Sequence, residues 1–327
     1  MKRKEGGPKI GLVLSGGAGK SFFQVGALCA LLEVGVRPHF VVAVSAGALA
    51  AAKYVECYDA RELELMVSLK FKKPPFYKNT RSLICHPFRT KSLLCNAPLR
   101  KIIDEIKIDR IFQSPIELQI ATTDILKREE HFFSNRDQNT DVFKRAILAS
   151  TALPGFFEAV EINGEMHIDG GMFNPLPIKR AVQAGCDMII VIDSDATEDH
   201  ISLRQFMKMG WTECQSRGYH IPIKALSDIE IDRTLRINKR IRAFESLRHK
   251  LVDKFGPNCE DDINQMFEDA LQYFHYDQNN REIQIVSVCP KQNILKSHFK
   301  WTSEEVAEMI ADGKRAAKRE LKRVGLI

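Results

Sequence analysis

The sequence has no Cys-x-x-Cys pair: its eight cysteines stand at positions 29, 57, 85, 95, 186, 214, 259 and 289. Zinc-ribbon and thioredoxin-type chemistry therefore lack their spacing, and the thiols read as reduced and cytosolic. The nine histidines form no His-Glu-x-x-His cluster, and no acidic loop has calcium-binding spacing, so no metal and no cofactor are expected. Nor does any stretch approach the ~18 uninterrupted apolar residues of a membrane-crossing helix. The opening Met1–Pro8 is charged and glycine-rich rather than apolar, which argues against a secretory leader and for a cytoplasmic chain. There is no internal repeat and no low-complexity tract.

A charge field of one sign is also missing from the body. The net charge of +6 sits at the ends, with +3 in residues 1–10 and +4 in residues 311–327, leaving −1 between them. Nucleic acid is therefore not an expected partner. What remains is a globular composition: 327 residues, 44% hydrophobic and 28% charged, enough to bury a large core.

The periodicity predicts an α/β chain with a mainly parallel central sheet. Lys9–Leu14 and Phe40–Val44 are short apolar runs with the character of strands buried on both faces, each followed by a small-residue turn and a helical segment, Ser21–Val34 and Ala46–Tyr54. Ile116–Thr123, Met188–Asp193 and Ile283–Val288 read as further strands, and Val142–Ser150 as a helix. Asn163-Gly164 inside Glu158–Ile168 predicts a hairpin, since both turn residues must accept positive φ. Residues 71–98 form a proline-, aromatic- and base-rich excursion. Residues 199–280 read as a polar helical insertion, with Ile237, Ile241, Phe244, Leu251 and Phe255 at helical spacing and a stop at Gly256-Pro257. Residues 1–327 are thus expected to form one α/β domain: a core over 9–193 completed by the 283–288 strand, the helical insertion, and a terminal helix near 303–324.

Three features carry chemistry. Ala43-Val-Ser45-Ala-Gly47 places a serine between an apolar strand and a helix, with small residues two positions either side. That is the pattern of a nucleophile elbow, whose tight turn admits only small neighbours; a plain serine N-cap has the same outline. Ser15-Gly16-Gly17-Ala18-Gly19-Lys20 follows the first strand and leaves backbone N–H groups open at a helix start. Such a loop fits a nucleotide phosphate, the oxyanion of a tetrahedral intermediate, or a simple packing turn. Gly19-Lys20-Ser21 does end like a Walker A motif, but position 14, where that motif needs glycine, is Leu. The third feature is His167-Ile-Asp169-Gly170-Gly171, an aspartate at a strand end followed by two glycines. Asp124, Asp193 and Asp195 also stand at strand ends but have no paired glycines, and Cys29 and Cys186 read as packed thiols.

Together these segments resemble the patatin-like phospholipases, relatives of the cytosolic phospholipase A2 catalytic domain. The resemblance spans most of residues 9–193 and is most specific where Ala149–Gly155, Asp169–Gly171 and Asn174–Pro177 occur in order. It implies a three-layer α/β/α patatin-like fold. It implies a Ser-Asp dyad, with Ser45 as nucleophile and Asp169 as base, and an oxyanion loop at Gly16, Gly17, Ala18 and Gly19. Lys20, Ala43, Gly47, Gly170 and Gly171 then support the site. The implied substrate is a phospholipid or lysophospholipid, cleaved through an acyl-enzyme. Three positions depart from the family pattern: Ala43 replaces the first elbow glycine, Ala18 the third loop glycine and Ser21 the last. Of these, Ala18 and Ser21 keep a lipid-binding chain with weakened catalysis open beside the hydrolase and the nucleotide-binding ATPase. His167 and His131 are bystanders in this scheme. A lipid hydrolase also needs a surface for peripheral membrane contact. The 71–89 excursion, with Phe71, Phe76, Tyr77 and Phe88 among Lys72, Lys73, Lys78, Arg81 and Arg89, is the expected one, ahead of the terminal cluster Lys314–Arg323.

Overall fold

Strands β1 (Ile10–Leu14), β2 (Phe40–Val44) and β9 (Met188–Ile192) are buried at every residue, which is what apolar runs without alternation dictate for the middle of a covered sheet. In the computed structural model, which describes residues 7–57, 59–78, 92–198, 200–273, 282–292 and 300–327, they are joined by β5 (Glu117–Asp124), β6 (Glu129–Ser134), β7 (Val160–Ile162), β8 (Glu165–Asp169) and β10 (Gln284–Val288). The eight strands run in the order β10-β9-β1-β2-β5-β8-β7, with β6 paired to β5. From β10 to β5 the neighbours are parallel; β6, β7 and β8 add an antiparallel end. A separate two-stranded ribbon pairs β3 (Tyr77–Lys78) with β4 (Leu94–Cys95).

The helices among the described residues are α1 (Phe22–Glu33), α2 (Ala46–Glu56), α3 (Ala60–Lys70), α4 (Ala97–Asp104), α5 (Ile108–Phe112), α6 (Thr140–Ser150), α7 (Ile178–Gln183), α8 (Leu203–Phe206), α9 (Trp211–Phe255), α10 (Glu260–Tyr273) and α11 (Ser303–Arg323). Alternate strand residues divide them into two layers. Leu12, Leu14, Val41, Ala43, Ile190 and Ile192 share one core with α1, α2, α6 and α11. Val13, Val42, Ile189 and Val191 share a second core with Ile178 and Ala181 of α7, and Ile231 of α9 packs against it. The result is a three-layer α/β/α arrangement.

The predicted strands and the hairpin are present, the latter turning at Asn163 (φ 52) and Gly164 (φ 84). The insertion is helical: α9 stops at Phe255 where Gly256 takes φ 87, and Phe244 stacks edge-on against Phe267 of α10 at 5.8 Å. One contact has no periodicity to announce it. α1 and α11 cross so closely that a Cβ on Gly26 would run into the Ile310 carbonyl, and one on Gly313 into that of Phe23. The terminal bases are engaged there, with Lys314 on Glu33 and Glu64 (3.3 and 2.6 Å) and Lys318 on Glu33 (2.7 Å).

Candidate active site

β2 and β8 occupy the same edge of β5 and meet end to end. Val44, the last residue of β2, pairs with Ala121; Asp169, the last residue of β8, pairs with Thr122. Successive β5 residues are about 3.3 Å apart, so the two strand ends must bring their next side chains together. Ser45 Oγ donates a 2.6 Å hydrogen bond to Asp169 Oδ2.

Ser45 itself holds φ 56 and ψ −132, a conformation that a non-glycine residue keeps only where its surroundings enforce it. The enforcement is visible. Its N–H donates to Ser150 Oγ (2.8 Å), and that hydroxyl donates to Ala121 O (2.7 Å), tying the elbow to the end of α6 and to β5. A Cβ on Gly47 would strike the Ser15 carbonyl, so glycine is required there by close approach. Ala43 is accommodated: it is fully buried in the core between Leu14 of β1 and Ile120 of β5. Ser150 has a side-chain role that sequence reasoning did not assign, since a serine at a helix end carries no distinctive signal.

Asp169 is 4% exposed. Its Oδ1 accepts from the Gly171 N–H (2.8 Å), its N–H donates to Ala152 O (3.1 Å), and its carbonyl accepts from Thr123 Oγ1 (3.0 Å). Gly170 is forced by sterics, because a Cβ would lie 2.5 Å from Ala121 O. Burial pushes the Asp169 carboxyl up to about 6, against the pull of the Ser45 and Gly171 hydrogen bonds. A carboxylate poised near neutrality is a better proton acceptor than an exposed one.

The Gly16–Gly19 loop passes directly over the serine, a Cβ on Gly16 being 2.9 Å from Ser45 Cβ. Gly17 holds φ 151 and Ala18 φ 48. Ala18 therefore carries its methyl in the left-handed region, at about 1–2 kcal/mol of strain. Among the described residues no protein acceptor engages the N–H groups of Gly16, Gly17, Ala18 and Gly19. Beneath the loop lies a braced polar layer. Ser15 Oγ donates to Asp193 (2.8 Å), Ser194 Oγ donates to the Gly16 carbonyl, and Gln24 Nε2 reaches the Ser15 and Ile192 carbonyls (2.8 and 3.0 Å). Lys20, 2% exposed, forms a 2.8 Å ion pair with Asp195. His220 of α9 stands 3.7 Å from the same carboxylate, and Lys224 stands 3.9 Å from Asp193. Burial raises Asp195, but His220 and Lys20 outweigh it and hold it well below the usual carboxylate range; burial and the neighbouring Asp195 raise Asp193. The rival aspartates are thus supports for the loop. A Walker-type lysine would face an open phosphate site, whereas Lys20 is committed beneath the backbone.

His167 is fully buried two residues before Asp169, hydrogen-bonded to Thr122 Oγ1 at 3.1 Å and stacked edge-on with His131 and Phe133. Burial, then His131, lowers its pKa. Asp124 caps the β5–β6 turn by accepting from the Leu126 and Lys127 N–H groups.

A cavity opens over Ser45 and Asp169. Its walls are largely apolar: Phe22 and Val25 of α1, Leu49 and Ala50 of α2, Val67, Leu99, Leu153 and Phe157. Two wall segments were not foreseen. Phe71 and Phe76 turn inward, packing edge-on with Phe22 (5.9 Å) and Phe157 (5.7 Å), while Trp301 stacks on Phe22 and donates to the Phe71 carbonyl. These two aromatics line the pocket instead of a docking surface; Tyr77, Lys72, Lys73 and Lys78 are exposed, and Arg81, Phe88 and Arg89 lie outside the described residues. The other unforeseen wall is the face of α9 carrying Ser216, Tyr219, His220 and Ile223. Among the described residues no helix is long and apolar enough to cross a membrane, and no group of three or more His, Cys, Asp or Glu is placed to hold a metal.

The family model for patatin-like phospholipases matches residues 12–182, more than half of the sequence and the part that contains the elbow, the loop and Asp169. The chain belongs to the patatin-like phospholipase family. Its three layers are the patatin-like fold, with the helical insertion late in the chain. An uncharacterized NTE family protein of Mycobacterium tuberculosis is 25% identical over 202 residues, covering 60% of this chain and 52% of that one. Lysophospholipase nte1 of Aspergillus oryzae is 25% identical over 209 residues, 61% of this chain and 13% of that one. The patatin-like chain thus spans about half the length of the mycobacterial relative and a small part of the fungal one. The crystal structure of VipD from Legionella pneumophila overlays with a TM-score of 0.48 at 14% identity, covering 97% of this chain and 67% of that one.

Proposed function

We propose that this patatin-like protein is a serine acyl-ester hydrolase that acts on phospholipids or lysophospholipids through a Ser-Asp dyad. The observation that carries the reading is the 2.6 Å hydrogen bond from the strained elbow serine to a buried carboxylate at the floor of an apolar cavity. Ser45 Oγ attacks the ester carbonyl as Asp169 takes its proton. The tetrahedral oxyanion is received by N–H groups of the Gly16–Gly19 loop, and the alcohol leaves with the proton held by Asp169, giving an acyl-enzyme. Water then adds with Asp169 again as base, releasing the fatty acid and restoring Ser45. The lipid class rests on the family, on the lysophospholipase names of the fungal relatives and on walls suited to an acyl chain. Residues 1–327 act as one unit in this scheme, since α11 packs on α1 beside the loop and α9 closes the cavity.

The reading of a lipid binder without turnover rested on Ala18 and Ser21. Serine and carboxylate keep reacting distance beside both, which favours the hydrolase. Labelling with a fluorophosphonate, followed by peptide mapping, tests it: one adduct at Ser45 is expected, absent in Asp169→Asn. A folded chain that takes no label, or takes it at another serine, would remove the mechanism.

A further inference from the structure

Opposite faces of the first turns of α9 have different surroundings. Ser216, Tyr219, His220 and Ile223 line the cavity. Cys214, Arg217, Gly218 and Ile221, displaced by two residues or about 200° of helix, form instead a shallow groove with Leu203 and Phe206 of α8. α8 therefore lies one helix diameter from the cavity, roughly 10–12 Å. The segment is unusually apolar for a surface: Leu203 is 77% exposed, Met207 74%, Trp211 60%, Phe206 47% and Ile221 67%.

Composition indicates what covers it. From Ile201 to Thr212 there is no carboxylate, while Arg204 and Lys208 are exposed among the apolar side chains. The next acid, Glu213, is turned inward on its own helix start, accepting from the Gly210 N–H at 2.5 Å. Elsewhere on α9 the exposed apolar residues stand among charges of both signs, as Ile229 does between Lys224 and Asp228 on one side and Asp232 and Arg233 on the other. Leucine, phenylalanine, methionine and tryptophan interleaved with bases alone is the chemistry of an interfacial segment on an anionic leaflet.

We propose that residues 201–211 are the surface by which this protein docks on membranes: Leu203, Phe206, Met207 and Trp211 enter the headgroup–acyl boundary while Arg204 and Lys208 meet anionic headgroups. The inference rests on the hydrolase reading in one respect, that a lipid substrate must reach the cavity from a bilayer. It replaces the 71–89 excursion, whose Phe71 and Phe76 are turned inward, as the docking element.

The test uses the full chain carrying Ser45→Ala, so that vesicles of phosphatidylcholine and phosphatidylglycerol are not consumed. Co-sedimentation should fall at least about tenfold in Leu203→Ser/Met207→Ser, and in Arg204→Glu/Lys208→Glu on anionic vesicles only. Emission of the exposed Trp211 should move to shorter wavelength on binding and be quenched by brominated lipid, an effect absent in Trp211→Ser. Unchanged sedimentation of both double variants overturns the proposal. So does a chain that is dimeric by ultracentrifugation and becomes monomeric in Leu203→Ser/Met207→Ser, which would make the patch a self-association face. With Ser45 intact, the apolar double variant should keep hydrolysis of a soluble nitrophenyl ester within about twofold; a parallel loss there means that α9 was disturbed and also overturns docking. Absence of ester turnover in the parent chain counts against the hydrolase reading alone.

Discussion

The elbow region and the α9 region both border the cavity, yet they are built on opposite principles. Around Ser45 every neighbour is dictated by close approach: Gly47 under the Ser15 carbonyl, Gly170 on Ala121, Ser150 bridging the Ser45 N–H to β5. Along α9 the wall is one face of a polar helix whose outward residues are exposed and varied in chemistry. In the proposed mechanism the first region fixes where atoms react. The second encloses what is presented to them. Substitutions should separate the two, chemistry falling with the elbow and selectivity with the helix.

The largest effect is expected at the dyad. Ser45→Ala and Asp169→Asn should each lower kcat by at least about 10³-fold, and the double variant should lose little more, because the two side chains act as one unit. Stopped assays on a nitrophenyl ester with circular dichroism as the fold control measure this. Independent, multiplicative losses would show that Asp169 does not serve Ser45.

The pH dependence sharpens the point. Asp169 must be ionised to accept a proton, so kcat/KM should rise with pH and be half-maximal near 6, the value to which burial pushes this carboxyl. Stability runs the other way. A folded-state pKa above the unfolded value of about 4 favours the protonated form, so that contribution is complete below pH 4 and lost as pH rises through about 6. Asp169→Asn, neutral throughout, should match the parent in unfolding free energy near pH 4 and exceed it at pH 8, by on the order of 3 kcal/mol at most. An Asn variant less stable at pH 8 than at pH 4, relative to the parent, would reverse the assigned sign.

Much of the elbow region was legible because each of its constraints leaves a residue type behind. A turn that forbids side chains leaves Gly47; a strand end that must approach β5 leaves Gly170; strands covered on both faces leave KIGLVL, FVVAV and MIIVID. The aromatic wall was misread for the same reason in reverse. Phe71 and Phe76 beside Lys72, Lys73 and Lys78 have an interfacial composition, and only the distant Trp301 and Phe157 reveal that the rings face inward. Gly26 and Gly313 give no local clue that two helices cross there, and the polar α9 gives none that it walls a cavity. Such facts live in contacts between segments, and one sequence carries no record of them.

The brace beneath the loop joins the two regions, so its effect should be intermediate. Lys20→Met leaves Asp195 buried with one cation fewer, and the loop loses the tie that holds its N–H groups over Ser45. We expect kcat to fall by about 10²-fold with KM little changed, comparable to losing one oxyanion donor. Breaking a buried pair should also lower stability by roughly 3 kcal/mol or more. Asp195→Asn in the Lys20→Met background should restore stability more than turnover. If Lys20→Met retains full kcat, the loop is held by Ser194, Ser15 and Gln24 alone.

The smallest effects are expected on α9, and they are the ones that distinguish a wall from chemistry. Tyr219 packs edge-on with Phe156 at 6.2 Å, and Ile223 stands one turn further along the same face. Truncating either to Ala enlarges the cavity without touching Ser45 or Asp169. Hydrolysis of a short nitrophenyl ester should therefore stay within a few-fold of the parent, while KM for long-chain lysophospholipids rises by less than about tenfold, or 1.4 kcal/mol. His167→Ala, at a residue that does not line the cavity and that contacts Thr122, Glu165, His131 and Phe133, should change kcat by no more than that and leave chain-length preference unaltered. Equal losses on short and long substrates in Tyr219→Ala would mean that α9 positions the dyad, and the division of labour between the two regions would fail.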